Sequence, residues 1–277
     1  MRSSYKFIRP CFYLLVLLMF GACSTSKYAV TNKVYKKQAA GFAELIKAEP
    51  PLNQTIDSLP AHELPWVGAV NFGIRKPNFV ILHHTAQDSA AQTLKTFTLA
   101  RTQVSSHYVV GRDGKVYQMV NDYLRANHAG ASKWGNETDL NSSSVGIEID
   151  NNGKEPFTEP QIKSLITVLG ALKKRYNIPA ANFIGHADIA PGRKNDPKNF
   201  PWKRLSESGF GLWYDSVLMM PPDDFDAVAA LRIIGYNVTN LKAAIEAFKI
   251  HFVQTDISQE LTPADKLILF NLYKKYM

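Results

Sequence analysis

Phe79-Val80-Ile81-Leu82-His83-His84-Thr85-Ala86 is an apolar run that closes on two adjacent imidazoles. Residues 78–83 read as a buried strand, and the end of a buried strand is where a fold places chemistry. Two further runs repeat the theme. Residues 145–150, VGIEID, read as a second buried strand, stopped by Asn151-Asn152-Gly153. Residues 182–185 read as a third, and it delivers His186. Around them, 89–100 reads as a helix. Residues 107–119 read as a hairpin, because Arg112-Asp113-Gly114-Lys115 places Asp-Gly between two β-rich runs. Residues 159–176 predict an amphipathic helix, with Ile162, Leu165, Ile166, Leu169, Leu172 and Tyr176 on one face. Strands that alternate with helices predict an α/β fold with a mixed central sheet flanked by helices.

The 277 residues, 45% of them hydrophobic, suffice for one core and a small second unit. Arg2, Lys6 and Arg9 followed by the apolar stretch 11–20 form a targeting segment too short to span a bilayer. Gly21-Ala22-Cys23 then places small residues before a cysteine. This resembles a lipoprotein signal over residues 1–22, with the lipid on Cys23, although Phe20 stands where leucine is usual. An ordinary secretory signal is the alternative. The other cysteine, Cys11, lies inside the signal, so a chain starting at Cys23 has no internal disulfide.

Residues 23–64 are polar and irregular, with Pro50-Pro51 and Pro60, and read as a tether with one short helix near 36–48. Residues 65–210 read as the main globular domain. Residues 222–277 read as a separate three-helix unit, with helices over 224–234, 241–252 and from Thr262-Pro263 onward. The net charge of +8 suits anionic partners, yet no basic run is interleaved with aromatics, which argues against a nucleic-acid binder.

Seven histidines are present, five of them between positions 83 and 186. His83 and His186 with one nearby carboxylate could supply two imidazoles and an oxygen with one position open, the ligand set of a catalytic zinc. The spacing is neither a compact finger nor His-Glu-x-x-His, and a histidine at a strand end taken singly is more often a structural group than a ligand. Asp188 and Asp196 compete for the carboxylate place. Glu148 and Asp150 share one strand face, with Ile147 and Ile149 turned to the core. Residues 121–144 form a long irregular loop, in which His128 and Trp134 suit a ligand groove.

The runs ILHHTA (81–86), VSSHYVVGRDG (104–114), NHAGASKW (127–134), SVGIEIDNNG (144–153) and HADIAPGRKNDP (186–197) resemble, in order, the type 2 N-acetylmuramoyl-L-alanine amidases. The likeness is strongest to the lipoprotein branch and covers roughly residues 65–277. It implies a Zn2+ cofactor held by His83, His186 and Asp196, with Glu148 as the acid–base residue and Lys194 facing the oxyanion. His84 becomes a neighbour of the ligands or a groove wall, beside His128 and Trp134. The implied reaction is hydrolysis of the amide between N-acetylmuramic acid and L-alanine in peptidoglycan. The C-terminal helices resemble a peptidoglycan-binding domain. The expected setting is a monomer anchored through Cys23 to a bacterial outer membrane, facing the periplasm. The alternatives are a peptidoglycan-recognition lipoprotein that does not cut, a wall-tethering lipoprotein, and a peptidase acting within the stem peptide.

Overall fold

The computed structural model describes residues 27–47, 74 and 76–277. The expected signal, Cys23, the three prolines of the tether and the boundary at 65 lie outside the described residues. Packing separates Met1–Val70 from Asn71–Met277. In the first unit, helix α1 spans Ala29–Lys47 and buries none of its residues. It begins seven residues before the expected start at 36, because the preceding AVTNKVY contains no glycine or proline to stop a helix.

The second unit is built on five strands, β1 (Phe79–His84), β2 (Tyr108–Val110), β3 (Val116–Gln118), β4 (Ser144–Ile149) and β5 (Phe183–Gly185). Their spatial order is β3-β2-β4-β1-β5. Within this sheet the β2–β3 hairpin is antiparallel, whereas β2–β4, β4–β1 and β1–β5 are parallel. The mixed sheet read from the sequence is therefore present. In register, Leu82 pairs with Ile147 and with Gly185, and His83 pairs with Glu148.

Alternation divides the two central strands between two layers. Val80, Leu82, Val145, Ile147 and Ile149 pack with helix α4 (Glu159–Tyr176) through its Ile162, Leu165, Leu169, Leu172 and Tyr176. Helix α4 starts on the Thr158 hydroxyl, which accepts the Gln161 amide, and stops at Asn177, whose φ of 53° is left-handed. The short helix α2 (Ala90–Phe97) packs beside β2.

The opposite face carries Ile81 and Ile184. These join one core with Ala230, Leu231 and Ile234 of α7 (Ala227–Ile234), Phe248 of α8 (Leu241–Phe252), and Leu269 and Leu272 of α9 (Pro263–Tyr276). Three short helices complete the unit: α3 (Leu140–Ser143), α5 (His186–Ile189), which contacts β1, β5 and α8, and α6 (Trp202–Glu207), whose Trp202 and Leu205 join the core on the α4 side. The helices of 222–277 thus belong to the same compact unit as the sheet and form its third layer. Pro221-Pro222 marks a loop, and the packing shows no break there.

Candidate active site

Three parallel strands end side by side at one edge of the sheet. Strand β1 brings His83, β4 brings Glu148 on the same rung, and β5 runs directly into His186, the first residue of α5. The carboxyl ends of parallel strands are the usual place for ligands in open α/β sheets. Asp196 reaches the same point from the loop after α5, and its carbonyl accepts the Ala187 amide at 2.7 Å.

The three candidate ligand atoms form a close triangle. His83 Nδ1 lies 2.9 Å from His186 Nδ1 and 3.3 Å from Asp196 Oδ2, and His186 Nδ1 lies 3.1 Å from Asp196 Oδ2. All three residues are buried. A tetrahedral zinc with bonds of about 2.0–2.1 Å holds its ligand atoms about 3.3 Å apart, so this triangle fits within a few tenths of an ångström. Burial lowers His83 to about 4, with the neighbouring His186 adding to the effect, so its ring is neutral near pH 7 with a lone pair to offer. Burial pushes Asp196 up, and the His186 and His83 imidazoles beside it overcome this and hold it low, as a carboxylate. The donor set, with His83 neutral and Asp196 ionised, suits a divalent cation. Asp196, and not Asp188, completes it.

Each imidazole is steadied from behind. His186 Nε2 lies 3.2 Å from the Ala129 carbonyl, and His83 Nε2 lies 3.1 Å from His128 Nδ1. His128 Nε2 lies 3.2 Å from the Ser144 hydroxyl, which donates to the Leu140 carbonyl. With the Nδ1 lone pair of His83 turned to the triangle, its Nε2–H donates to His128, whose own Nε2–H donates to Ser144. A Cβ on Gly146 would sit 2.3 Å from the His128 ring, so only glycine leaves room for this stack.

Glu148 lines the same cleft. Burial lifts it to about 8, Asp196 adds to the rise and Lys194 opposes it, and its Oε2 has no hydrogen-bond partner among the described residues. The cleft holds about 710 Å³ and is also lined by His84, His128, Arg193 and Lys194. His84 Nδ1 accepts the Lys198 amide at 3.3 Å, which leaves its Nε2–H as a donor. Residues of α8, including Ala243, Glu246 and Ala247, form the far wall.

One reading of the 121–144 loop needs correction. Trp134, expected in a groove, is 7% exposed and does not line the cleft. Its ring packs edge-on against Tyr236 at 5.0 Å and lies over Gly235, where a Cβ would come within 2.4 Å. His128 does reach the cleft, but it is buried and engaged with His83. Sequence reading missed Ser144, Gly146 and Ala129. The small residues of NHAGA and SVG were the signal, since close packing around imidazoles demands them.

Residues 74–199 match the N-acetylmuramoyl-L-alanine amidase family. The chain is 34% identical over 230 residues to the N-acetylmuramoyl-L-alanine amidase AmiD of Escherichia coli, covering 71% of this chain and 82% of that one. It is 36% identical over 151 residues to the 1,6-anhydro-N-acetylmuramyl-L-alanine amidase AmpD of Citrobacter freundii, covering 53% and 74%. The structure of E. coli AmiD with anhydro-N-acetylmuramic acid-L-Ala-D-gamma-Glu-L-Lys matches with a TM-score of 0.66 at 31% identity, over 76% of this chain and 93% of that one. AmpDh3 from Pseudomonas aeruginosa matches with a TM-score of 0.67 at 28% identity, over 76% and 96%. With the mixed sheet and the site at its carboxyl edge, these likenesses show that the chain belongs to the type 2 N-acetylmuramoyl-L-alanine amidases, hydrolases of a linear amide.

Proposed function

We propose that this amidase hydrolyses the bond between the lactyl group of N-acetylmuramic acid and the L-alanine of the stem peptide, with zinc held by His83, His186 and Asp196. The observation that carries the reading is the rung that sets Glu148 beside His83, at the triangle of three candidate ligand atoms. Zinc there would polarise the scissile carbonyl and acidify a water molecule.

The chain's own groups do the rest. Glu148 takes the proton of the attacking water and passes it to the leaving nitrogen of L-alanine. Its unpartnered Oε2 is free for that contact, and positive charge at the triangle favours its ionised form, as Lys194 does. Lys194, on the cleft wall, faces the oxygen that gains charge in the tetrahedral intermediate. His84 offers its Nε2–H to a substrate carbonyl or hydroxyl along the rim.

The named relatives act on muramyl-L-alanine amides, and the AmiD and AmpDh3 complexes hold anhydromuramyl peptides, which supports muropeptides as the ligand here. Lipid on Cys23 would anchor the enzyme at the envelope membrane, with residues 23–64 as the tether. Cys23→Ser should then release it from the membrane fraction.

The test of the reaction is digestion of purified sacculi, with released ends identified by mass. New L-alanine amino groups beside intact muramic acid are expected. Ends created within the stem peptide would instead make it a peptidase. Zinc analysis should return about one ion per chain, and His83→Ala should lose both zinc and activity.

A further inference from the structure

Helix α5 is one turn long, His186–Ile189, and a helix this short has no stability of its own. It nevertheless has to hold the His186 ring to within tenths of an ångström. The device that holds it is Asp188, which is 1% exposed and accepts three hydrogen bonds. One is local: Oδ2 accepts the amide of Gly185, the residue directly before His186, at 2.7 Å. The other two come from the C-terminal layer. The Tyr236 hydroxyl donates to Oδ1 at 2.7 Å, and His251 Nδ1 donates to Oδ2 at 2.7 Å.

Both donors are fixed in place. Tyr236 is 2% exposed and packed on Trp134. The His251 ring stacks between Trp202, 3.9 Å away at 18°, and Phe252, 4.0 Å away at 16°. The hydrolytic chemistry uses neither residue, and neither lines the cleft.

We propose that Tyr236 and His251 are positioning residues for the metal site. Through Asp188 they clamp α5 to the C-terminal helices and so set the place of the ligand His186. The layer beyond residue 222 is then part of the zinc site's support, whatever else it binds. This inference rests on the zinc reading of the triangle given under Proposed function.

The test is zinc affinity, measured on the full chain by competition with a chelator, with cobalt(II) absorption as a second readout of ligand geometry. Tyr236→Phe keeps the ring and deletes one donor; His251→Leu deletes the other; His251→Asn keeps an N–H near the Nδ1 position. Groups that orient metal ligands typically govern about 10- to 100-fold in affinity. Zinc binding is therefore expected to weaken by about tenfold in Tyr236→Phe and in His251→Leu, with altered cobalt bands, and to recover in His251→Asn.

Wild-type zinc affinity in Tyr236→Phe, whatever happens to its melting temperature, would show that the hydroxyl serves only packing and would overturn the proposal. So would an Asn variant that binds zinc no better than the Leu variant. Should His251→Leu fail to fold, Tyr236→Phe decides alone. A wild-type chain that takes up no zinc overturns this inference together with the metal reading. A wild-type chain that binds zinc yet cuts a different bond overturns the proposed reaction only.

Discussion

The two faces of the central sheet are made from the same strands and do opposite work. On the face toward α4, Val80, Leu82, Ile147 and Ile149 are fully buried among apolar partners. One residue along, the other face shows Ile81, His83, Gly146 and Glu148. Alternation with a period of two lets six-residue strands carry a stabilising surface and a chemical one together. The chemical face would be costly by itself, since buried imidazoles and a carboxylate give up hydration. The apolar face and the C-terminal layer offset that cost.

Substitutions should separate the two faces. The largest effect is expected for Glu148→Gln, which keeps the shape but cannot accept a proton. Its kcat should fall by about a hundred- to ten-thousandfold, with zinc content and melting temperature close to wild type. A rate within threefold of wild type would give the proton transfer to another group, such as His84 or Asp150. On the opposite face, Leu169→Ala removes a wholly buried side chain of α4 and should cost about 2–5 kcal/mol in denaturant unfolding. Its kcat at low temperature should remain within about twofold of wild type; a large fall in kcat with little loss of stability would break the comparison.

The third comparison is a pH dependence. In metal-stripped protein, Glu148 is raised by burial to about 8, above its ordinary 4.5. At this group the folded state therefore holds more proton than the unfolded one between those values. The stability contributed by Glu148 is full below about pH 4.5 and declines as pH rises toward 8, by at most about 1.4 kcal/mol per pH unit. Glu148→Gln lacks this component, so its stability should overtake wild type on the alkaline side. Parallel pH profiles for the two proteins would show that Glu148 is hydrated and unshifted.

The parts legible in the sequence were those decided by near neighbours. The α4 stripe and its Thr158 cap are written within 18 residues, and β1 and β4 are continuous apolar runs. His83, His186, Asp196 and Glu148 were legible through motif resemblance, and the structure brings them to one cleft. The features that escaped depend on long-range packing. Trp134 looks like an exposed loop aromatic until Tyr236 and Gly235 arrive from about a hundred residues downstream to cover it. Asp188 looks like a spare carboxylate until Tyr236 and His251 bond it across 48 and 63 residues. The same distance hid the third layer. Proline and glycine near 209–222 punctuate the chain, but only the apolar contacts of Ile81 and Ile184 reveal that the helices beyond residue 222 fold back onto the sheet.

The stack of His83, His128 and Ser144 also makes the site observable. Its two ring N–H groups are internal, with His83 1% and His128 9% exposed, and each has an acceptor. Such protons trade slowly with solvent and resonate far downfield in a proton NMR spectrum, away from the amide envelope. Binding of an ion at Nδ1 would redistribute charge across the His83 ring and shift its Nε2 signal. The His83 line among these low-field signals would be a label-free gauge of metal occupancy, one that needs neither substrate nor turnover.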